Sequence, residues 1–172
     1  MKWTVRQALR LHQRASSELI NVAGAIPDSA WELPREEGKW SPQTVVEHLN
    51  TTYDVILGEL GGGSGMEVRT RPLIRFVLRL TMVPAILLTG KFPRNARAPR
   101  ETRPPATESI EKTVMLDRFR ERAGQLEQAA LDAPSGTKIT HAYFGSASVA
   151  SGVTMCARHI QHHCAQLRAV LD

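Results

Sequence analysis

The sequence predicts an all-α fold, a four-helix bundle, and three observations lead to this prediction. Apolar residues recur at intervals of three and four along four long segments, which is the period of amphipathic helices. No segment of the sequence shows the sustained apolar and polar alternation of a half-buried strand. The length of 172 residues suits one domain with one core. We therefore predict a single four-helix-bundle domain over residues 1–172.

The first two helices are marked by their end signals. The first is predicted from Thr4 to Ile26, and Pro27 ends it because proline cannot continue the hydrogen-bond ladder. The second begins at Ser41, whose hydroxyl can cap free amides, with Pro42 at the first helical position. Three consecutive glycines, residues 61–63, end this helix.

A helical and proline- and arginine-rich insert, residues 65–106, is predicted between the second and third helices. Its apolar part, residues 72–90, contains Pro84 and is predicted to form two short helices that cover the bundle. Arg75 and Arg79 lie within this part and would cost several kcal/mol in a bilayer, so we predict no transmembrane segment. Contact with a membrane surface or with a partner chain is the alternative.

Two further helices complete the predicted bundle. The third is predicted to begin after Pro104 and Pro105, with Thr107 as its cap. A loop over residues 139–148 leads to the fourth helix, predicted from about Val149 to Leu171. Four main helices with one long crossing connection make a four-helix bundle.

The positive charge of the chain is concentrated in one segment. The net charge is +5, yet residues 69–103 contain nine basic residues and one acid, so they carry +8 and the rest of the chain carries −3. This segment lacks the interleaved aromatic residues and the motifs of nucleic-acid readers. We expect no nucleic-acid partner, and a small anionic substrate or simple solvation accounts better for the charge.

The cysteines and the N-terminus bear on the cellular location. Cys156 and Cys164 lie eight residues apart on the predicted fourth helix, which separates them by roughly 12 Å along its axis. A disulfide cannot bridge that distance. The N-terminal residues carry charges throughout and no apolar stretch of a signal peptide. A reducing, cytoplasmic location is the expectation.

Three histidines on two helices form a candidate metal site. His159 and His163 are four residues apart, so their rings lie one turn apart on one face of the fourth helix. That face is otherwise apolar, and a buried imidazole must satisfy both ring nitrogens, one of which a metal can satisfy. His48 can face inward from the second helix. Each motif is weak alone, and buried histidines without a metal are the alternative. Three histidines together fit a site with an open position, which is the layout of catalytic metal sites.

Two stretches of the sequence carry a family resemblance. They are KWSPQTVVEHL, from Lys39 to Leu49, and ITHAYFGSASVASGVTMCARHIQHHCAQL, which begins at Ile139. In both, the chain resembles the DinB-like, YfiT-like superfamily of metalloenzymes, in which a Trp-Ser-Pro helix start precedes the first histidine ligand. A His-Pro-like, Phe-Gly loop then leads to a helix with HxxHHxxQL. The matching positions are Trp40, Ser41, Pro42, His48, His141, Phe144, Gly145, His159, His162, His163, Gln166 and Leu167.

The resemblance implies a function as well as a fold. It implies that His48, His159 and His163 bind a divalent transition metal, zinc or nickel, in a four-helix bundle that is often dimeric. Some members are thiol S-transferases that use low-molecular-weight thiols such as bacillithiol or mycothiol, and others are isomerases. We therefore expect a homodimeric, metal-dependent enzyme that transfers a small thiol cosubstrate to a small-molecule substrate.

Other side chains are candidates for supporting roles. Gln166, one turn beyond His163, can orient a ligand, although a surface glutamine is as plausible. His12 on the first helix can approach the site, and a partly buried helix histidine is the alternative. Arg75 and Arg79 can bind the carboxylates of a thiol cosubstrate.

Two other functions stay open. A metal-dependent hydrolase with a metal-bound hydroxide needs a general base, and Glu47 points about 100° away from His48 on an ideal helix, so it is not a convincing one. A non-catalytic metal-binding interaction module, with the apolar insert as its contact surface, is the third reading. Cys156 would be a good soft ligand, but a small buried cysteine is the simpler interpretation.

Overall fold

The computed structural model describes residues 4–93, 97–104 and 109–171. Within them the chain forms six α-helices, one 3-10 turn and one two-stranded sheet. In chain order these are α1 (Val5–Gly24), α2 (Asp28–Trp31), α3 (Pro42–Leu60), α4 (Pro72–Thr89), the 3-10 turn (Arg100–Thr102), α5 (Lys112–Asp132), β1 (Lys138–His141), β2 (Gly145–Ser148) and α6 (Val149–Leu171).

The four long helices α1, α3, α5 and α6 form the bundle, so the predicted all-α fold class is confirmed. α1 packs along α6 and α5, and α3 packs along α5. Each helix turns one apolar face inward, and burial of each large apolar side chain contributes about 1.5–3 kcal/mol. The largest fully buried apolar side chains are Leu19, Ile26, Val46, Ile86, Met115, Phe119, Leu126, Val153, Ile160 and Leu167.

The starts of α1 and α3 follow their capping residues. Thr4 and Gln7 form a reciprocal capping box at α1. Ser41 accepts a hydrogen bond from the amide of Thr44 at 3.2 Å, and Pro42 occupies the first turn of α3. α1 ends at Gly24 and not at Ile26, because the chain turns before Pro27 into the short helix α2.

α4 is one continuous helix, so the prediction of two short helices was wrong. Pro84 lies inside it. Proline removes one intrahelical hydrogen bond, but Pro84 and Leu80, the residue four positions before it, are both solvent-exposed. Water can therefore bind the freed carbonyl, and the helix continues. Of the helices that the structure describes, α4 alone is long and apolar enough to cross a membrane by length and composition, with a mean hydropathy of 1.6.

β1 and β2 form an antiparallel hairpin where the sequence analysis predicted a loop. Each strand has four residues, and Ile139 pairs with Ala147. Strands this short, rich in serine, threonine and small residues, show no measurable alternation. The amide of Thr140 donates to Glu59 Oε2 at 2.8 Å, which ties the hairpin to the end of α3.

The last two bundle helices have the predicted apolar faces. α5 begins at Lys112, later than predicted, and Thr107, the predicted cap, lies outside the described residues. The inward positions of α5 are all buried: Leu116, Phe119, Ala123, Leu126 and Ala130. α6 runs from Val149 to Leu171, as predicted.

Candidate metal centre

The rings of His48, His159 and His163 converge on one point between α3 and α6. The Nε2 atoms of His48 and His159 are 3.1 Å apart, and those of His163 and His159 are 2.9 Å apart. These spacings are close to the roughly 3.3 Å between two nitrogens that each lie 2.0–2.1 Å from one tetrahedral ion. Among the described residues these three form the group that could hold a metal ion.

The hydrogen bonds that His48 and His163 make at Nδ1 determine which nitrogen of each ring carries the proton. His48 Nδ1 lies 2.6 Å from the carbonyl oxygen of Thr102, and His163 Nδ1 lies 2.7 Å from Oε1 of Gln166. An oxygen of this kind can only accept, so each Nδ1 carries the proton in the neutral ring. The Nε2 atoms of His48 and His163 therefore both direct lone pairs at His159.

Burial keeps the three imidazoles neutral. It lowers the pKa of His159 well below the ordinary value, and the neighbouring His163 lowers it further. Burial also lowers the pKa of His163 to about 3. The pKa of His48 is lowered by burial, although its bond to Thr102 opposes this. The lone pairs are thus available at neutral pH.

This arrangement fits a divalent transition metal. His159 Nε2 can donate one hydrogen at most, so at least one of the two short contacts between Nε2 atoms has no hydrogen between them. Buried lone pairs facing each other without a proton are unfavourable. One cation between the rings would remove this repulsion by accepting the Nε2 lone pairs of all three histidines. Imidazole nitrogen is a suitable ligand for zinc, nickel, copper and iron. Three ligands leave a further position open.

Gln166 orients two histidines through the two ends of its amide. Its Oε1 accepts from His163 Nδ1, and its Nε2 donates to His162 Nε2 at 3.1 Å. The predicted role of Gln166 as an orienting residue therefore agrees with its position. His162 itself lies beside the three converging rings, and not among them.

Two aromatic side chains enclose the imidazoles. Trp40 lies 4.9 Å from His48, between ring centroids, and its plane is within 18° of that of His163. The ring centroid of Phe92 lies 5.5 Å from that of His159. Packing of this kind holds the rings in place and reduces water access, which strengthens electrostatic interactions at the site.

The histidines open onto a cavity of about 1430 Å³. Its wall is formed by α3, α4, α6, the hairpin and the segment around the 3-10 turn. Apart from the histidines, the described residues that line it include five basic ones, Arg35, Lys39, Arg79, Arg97 and Arg103, and one acidic one, Glu36. The cavity is large enough for a small-molecule ligand, and its charge favours an anionic one.

His141 is a further cavity residue, whose role the sequence did not reveal. Its Nδ1 accepts a hydrogen bond from the amide of Tyr143 at 3.1 Å, and its ring stacks on Phe144 at 4.5 Å. Burial lowers the pKa of His141 to about 4. The ring is therefore neutral at physiological pH, with its proton on Nε2, where it is a hydrogen-bond donor. The Phe-Gly loop motif indicated this position but not the tautomer.

The structure does not bring His12 to the metal centre. Its Nδ1 lies 2.9 Å from Glu127 Oε1 and its Nε2 lies 2.7 Å from the Tyr53 hydroxyl. Both ring nitrogens are occupied within the bundle, and His12 is not among the residues that line the cavity. The predicted supporting role of His12 at the metal therefore has no geometric support, and its partners show a structural role.

The two arginines predicted to bind substrate lie in different places. Arg79 lines the cavity. The side chain of Arg75 packs against Gly145, where an added Cβ would lie 2.8 Å from Arg75 Cδ, and Arg75 is not part of the cavity lining. Gly145 also has a φ of +70°, which favours glycine. Arg79 therefore borders the cavity, whereas Arg75 makes a packing contact outside it.

Two other residues considered from the sequence also have clear positions. Glu47 is buried and faces α5, with its Oε1 3.4 Å from Arg118, so it does not point into the cavity. Cys156 lines the cavity, but burial raises its pKa to about 12. Its thiol stays protonated at neutral pH in the metal-free protein, which argues against a role as nucleophile, and Cys156 is not among the side chains that converge on the candidate metal centre.

Comparison with known proteins gives one match. The model of the DinB superfamily matches residues 11–167 of the chain. No curated protein and no solved structure matches it. The matched range contains all three converging histidines.

Proposed function

The chain belongs to the DinB superfamily, and from this and its three converging imidazoles we propose that it is a metal-dependent thiol S-transferase. The observation that carries the proposal is the convergence of three neutral Nε2 atoms at the wall of a large, basic cavity. The proposed metal is zinc or nickel, since both accept three imidazoles. When bound there, the ion would lower the pKa of a thiol at its open position and so supply a thiolate at neutral pH.

The chain's own residues would hold the metal and exclude water. His48, His159 and His163 would be the ligands, and Thr102 and Gln166 would fix two of their rings in the required tautomer. Trp40 and Phe92 cover the rings. No protein nucleophile is needed, because the thiol comes with the cosubstrate.

The basic side chains would select the cosubstrate. Low-molecular-weight thiols carry carboxylates, and Arg79 and Arg97 line the cavity that the histidines face. A guanidinium can bind a carboxylate with two parallel hydrogen bonds. In the reaction, the thiol would release its proton to water, its sulfur would form a bond to an electrophilic carbon, and the bond from that carbon to the leaving group would break, so that the leaving group departs with the bonding electron pair.

His141 would assist as a fixed hydrogen-bond donor. Its neutral ring presents Nε2–H, and it lines the same cavity. A donor at such a place can bind a carbonyl oxygen or a departing anion of the second substrate.

A conjugation assay tests the proposal. The metal-loaded protein is mixed with chlorodinitrobenzene and, in turn, with glutathione, cysteine, bacillithiol and mycothiol, and formation of the thioether is followed. We expect turnover with at least one thiol and loss of it in His159→Ala. The matched control is His12→Gln, which alters a buried histidine outside the centre and should keep activity if it stays folded.

Two outcomes would replace the proposal with another function. Bound metal, no thiol consumption and turnover of ester or amide substrates would show a hydrolase. Bound metal with neither activity would show a metal-binding interaction module. A homodimer and a cytoplasmic location are part of the same proposal, and the buried, reduced cysteines Cys156 and Cys164 are in keeping with the latter.

A further inference from the structure

The outward face of α4 is apolar along the whole helix. Of its 18 residues, all of which the structure describes, Ile86 alone is buried. Six large apolar side chains of α4 are half or more exposed: Leu73, Ile74, Phe76, Val77, Leu80 and Leu88. A contiguous apolar surface of this kind is unusual on a monomer and marks an interaction site.

The charged residues of α4 lie on the opposite side of the helix. Arg75 packs against Gly145, and Arg79, although exposed, lines the cavity, so neither arginine belongs to the outward apolar face. The chain has no acidic residue between Pro72 and Thr89. A partner that packs on the outward face of α4 would therefore contact no charged side chain of this helix.

We propose that this outward face of α4 is a self-association surface, on which the α4 helix of a second copy of the chain packs. The resemblance to the superfamily implies only that dimers are common, and does not say which surface forms them. This proposal rests on the homodimer included in the proposed function, but not on the metal or on the reaction.

The spacing of the apolar residues suits a pair of helices. Leu73, Val77, Leu80, Pro84 and Leu87 follow each other at intervals of four, three, four and three. That is the spacing of a coiled-coil seam. α4 is 18 residues long, which gives about 27 Å of helix, and Leu80 lies near its middle. In an antiparallel pair the two-fold axis would therefore pass close to Leu80, and Leu73 would meet Leu87 of the other copy, which is partly exposed at the edge of this face.

The area also suits a specific contact. Six side chains exposed to this extent present roughly 500 Å², which lies within the range of functional patches on monomers. Two copies that covered this patch completely would bury roughly 1,000 Å², which is about the minimum for a specific interface. At about 25 cal/mol per Å² this is a substantial apolar contribution, part of which offsets the entropy of association.

The positions of the arginines argue against a membrane as the occupant. Helices that lie on membranes carry basic side chains along the border of the apolar face, where they contact lipid headgroups. Within α4 both arginines lie on the side of Gly145 and the cavity, and the exposed basic residues Arg71 and Lys91 stand only at the two ends of the helix. A spanning helix would place both arginines in the bilayer at about 2.5–3.5 kcal/mol each. Packing against a second copy of α4 leaves both arginines on the cavity side, so neither has to enter a bilayer.

A dimer at this surface would also support the wall of the cavity. The inner side of α4 contributes Leu78, Arg79, Met82 and Val83 to the cavity. On the outer side no described residue of the chain covers Leu73, Phe76 or Leu80. A second α4 would hold this wall in place from outside.

Sedimentation equilibrium tests the proposal. We expect the wild-type chain to sediment at twice the 19.0 kDa of one chain. Leu80→Glu should be monomeric with unchanged helix content, because Leu80 is 61% exposed and its replacement leaves the core intact. Leu131→Glu is the matched control: Leu131 is 56% exposed on α5 and its substitution should leave the dimer unchanged.

Cross-linking locates the axis. In Leu80→Cys a short bismaleimide should join two copies within minutes, whereas Leu131→Cys should not react in this way. A wild-type monomer, or a dimer that survives Leu80→Glu, would overturn the proposal. The proposal would also be overturned if the wild-type chain were a monomer that floats with phosphatidylglycerol vesicles and if Leu80→Glu abolished this flotation. The outward face of α4 would then be a membrane contact.

Discussion

His48 Nδ1 donates a 2.6 Å hydrogen bond to the main-chain carbonyl of Thr102, which lies 54 residues further along the chain. This bond joins α3 to the 3-10 turn, so the long insert between α3 and α5 takes part in forming the metal centre. It also fixes which nitrogen of His48 faces the other two rings. Bonds of this kind orient metal ligands, and their loss commonly costs 10- to 100-fold in metal affinity.

The first prediction concerns this turn. Thr102→Pro removes the amide that bonds to Pro99 at 3.1 Å and loosens the turn that carries the carbonyl. We expect zinc affinity, measured by competition with a chromogenic chelator, to fall about 10- to 100-fold while helix content is unchanged. Thr137→Pro is the control, since it removes the same kind of bond, Thr137 to Pro134 at 3.1 Å, in a turn away from the metal centre. Equal effects of both substitutions would contradict the assigned role.

The second prediction concerns Gln166. Gln166→Leu leaves His163 Nδ1 without its acceptor, so the ring can rotate or change tautomer. Metal affinity should fall by about one order of magnitude, and Gln166→Glu, which keeps the acceptor, should restore most of it. Gln128→Leu, on the exposed side of α5, should have no effect. Full metal affinity in Gln166→Leu would show that the amide is dispensable.

The third prediction concerns stability and pH. Burial lowers the pKa of His141 to about 4 in the folded protein, against an ordinary value of 6.5. Between these values the unfolded chain binds a proton that the folded chain excludes, so stability falls as the pH falls from 6.5 toward 4. The loss due to His141 approaches roughly 3 kcal/mol at the acid end.

Urea unfolding of the metal-free protein measures this effect. His141→Gln can still accept from the Tyr143 amide but does not titrate. The difference in free energy of unfolding between the wild type and this variant should shift in favour of the variant as the pH is lowered. A difference that stays constant with pH would mean that His141 is protonated equally well in both states.

The fourth prediction concerns the buried network of His12. Tyr53→Phe removes the hydroxyl that bonds to His12 Nε2 and leaves that nitrogen buried without this partner. The free energy of unfolding should fall by about 1–3 kcal/mol, with metal content unchanged. Tyr143→Phe removes an exposed hydroxyl bonded to the carbonyl of Arg97 and should cost less than about 0.5 kcal/mol. Loss of metal from Tyr53→Phe would place the network at the metal centre after all.

The fifth prediction concerns substrate charge. Arg79→Gln should raise the KM for a carboxylate-bearing thiol about 3- to 10-fold, with a smaller effect on kcat, because the contact is made equally in the ground state. Arg71→Gln is the control, since Arg71 is exposed at the start of α4 and does not line the cavity. If both substitutions had the same effect, the charge of the cavity would act only at long range.

The sequence was a good guide to features that depend on nearby residues. The start of α3 follows from Ser41 and Pro42, and the pairing of His159 with His163 follows from their spacing of four on a helix. The apolar period also located the inward faces. Each of these is decided within a few turns of helix, where periodicity and capping are strong signals.

Features that depend on distant contacts could not be predicted in this way. The bond between His48 and Thr102 is formed by a carbonyl, which has no side-chain signature. The hairpin is stabilised by Glu59 from another element, and not by its own alternation. His12 shares an inward face with many residues, and its partners Glu127 and Tyr53 come from two other helices. Periodicity shows that a residue is buried, but not which neighbours it meets.

The most direct measurement is anomalous X-ray scattering from crystals grown with zinc or nickel, recorded at the absorption edge of the added metal. We expect one peak per chain, about 2.1 Å from Nε2 of His48, His159 and His163. A peak bound elsewhere, or no peak between these rings at saturating metal, would contradict it.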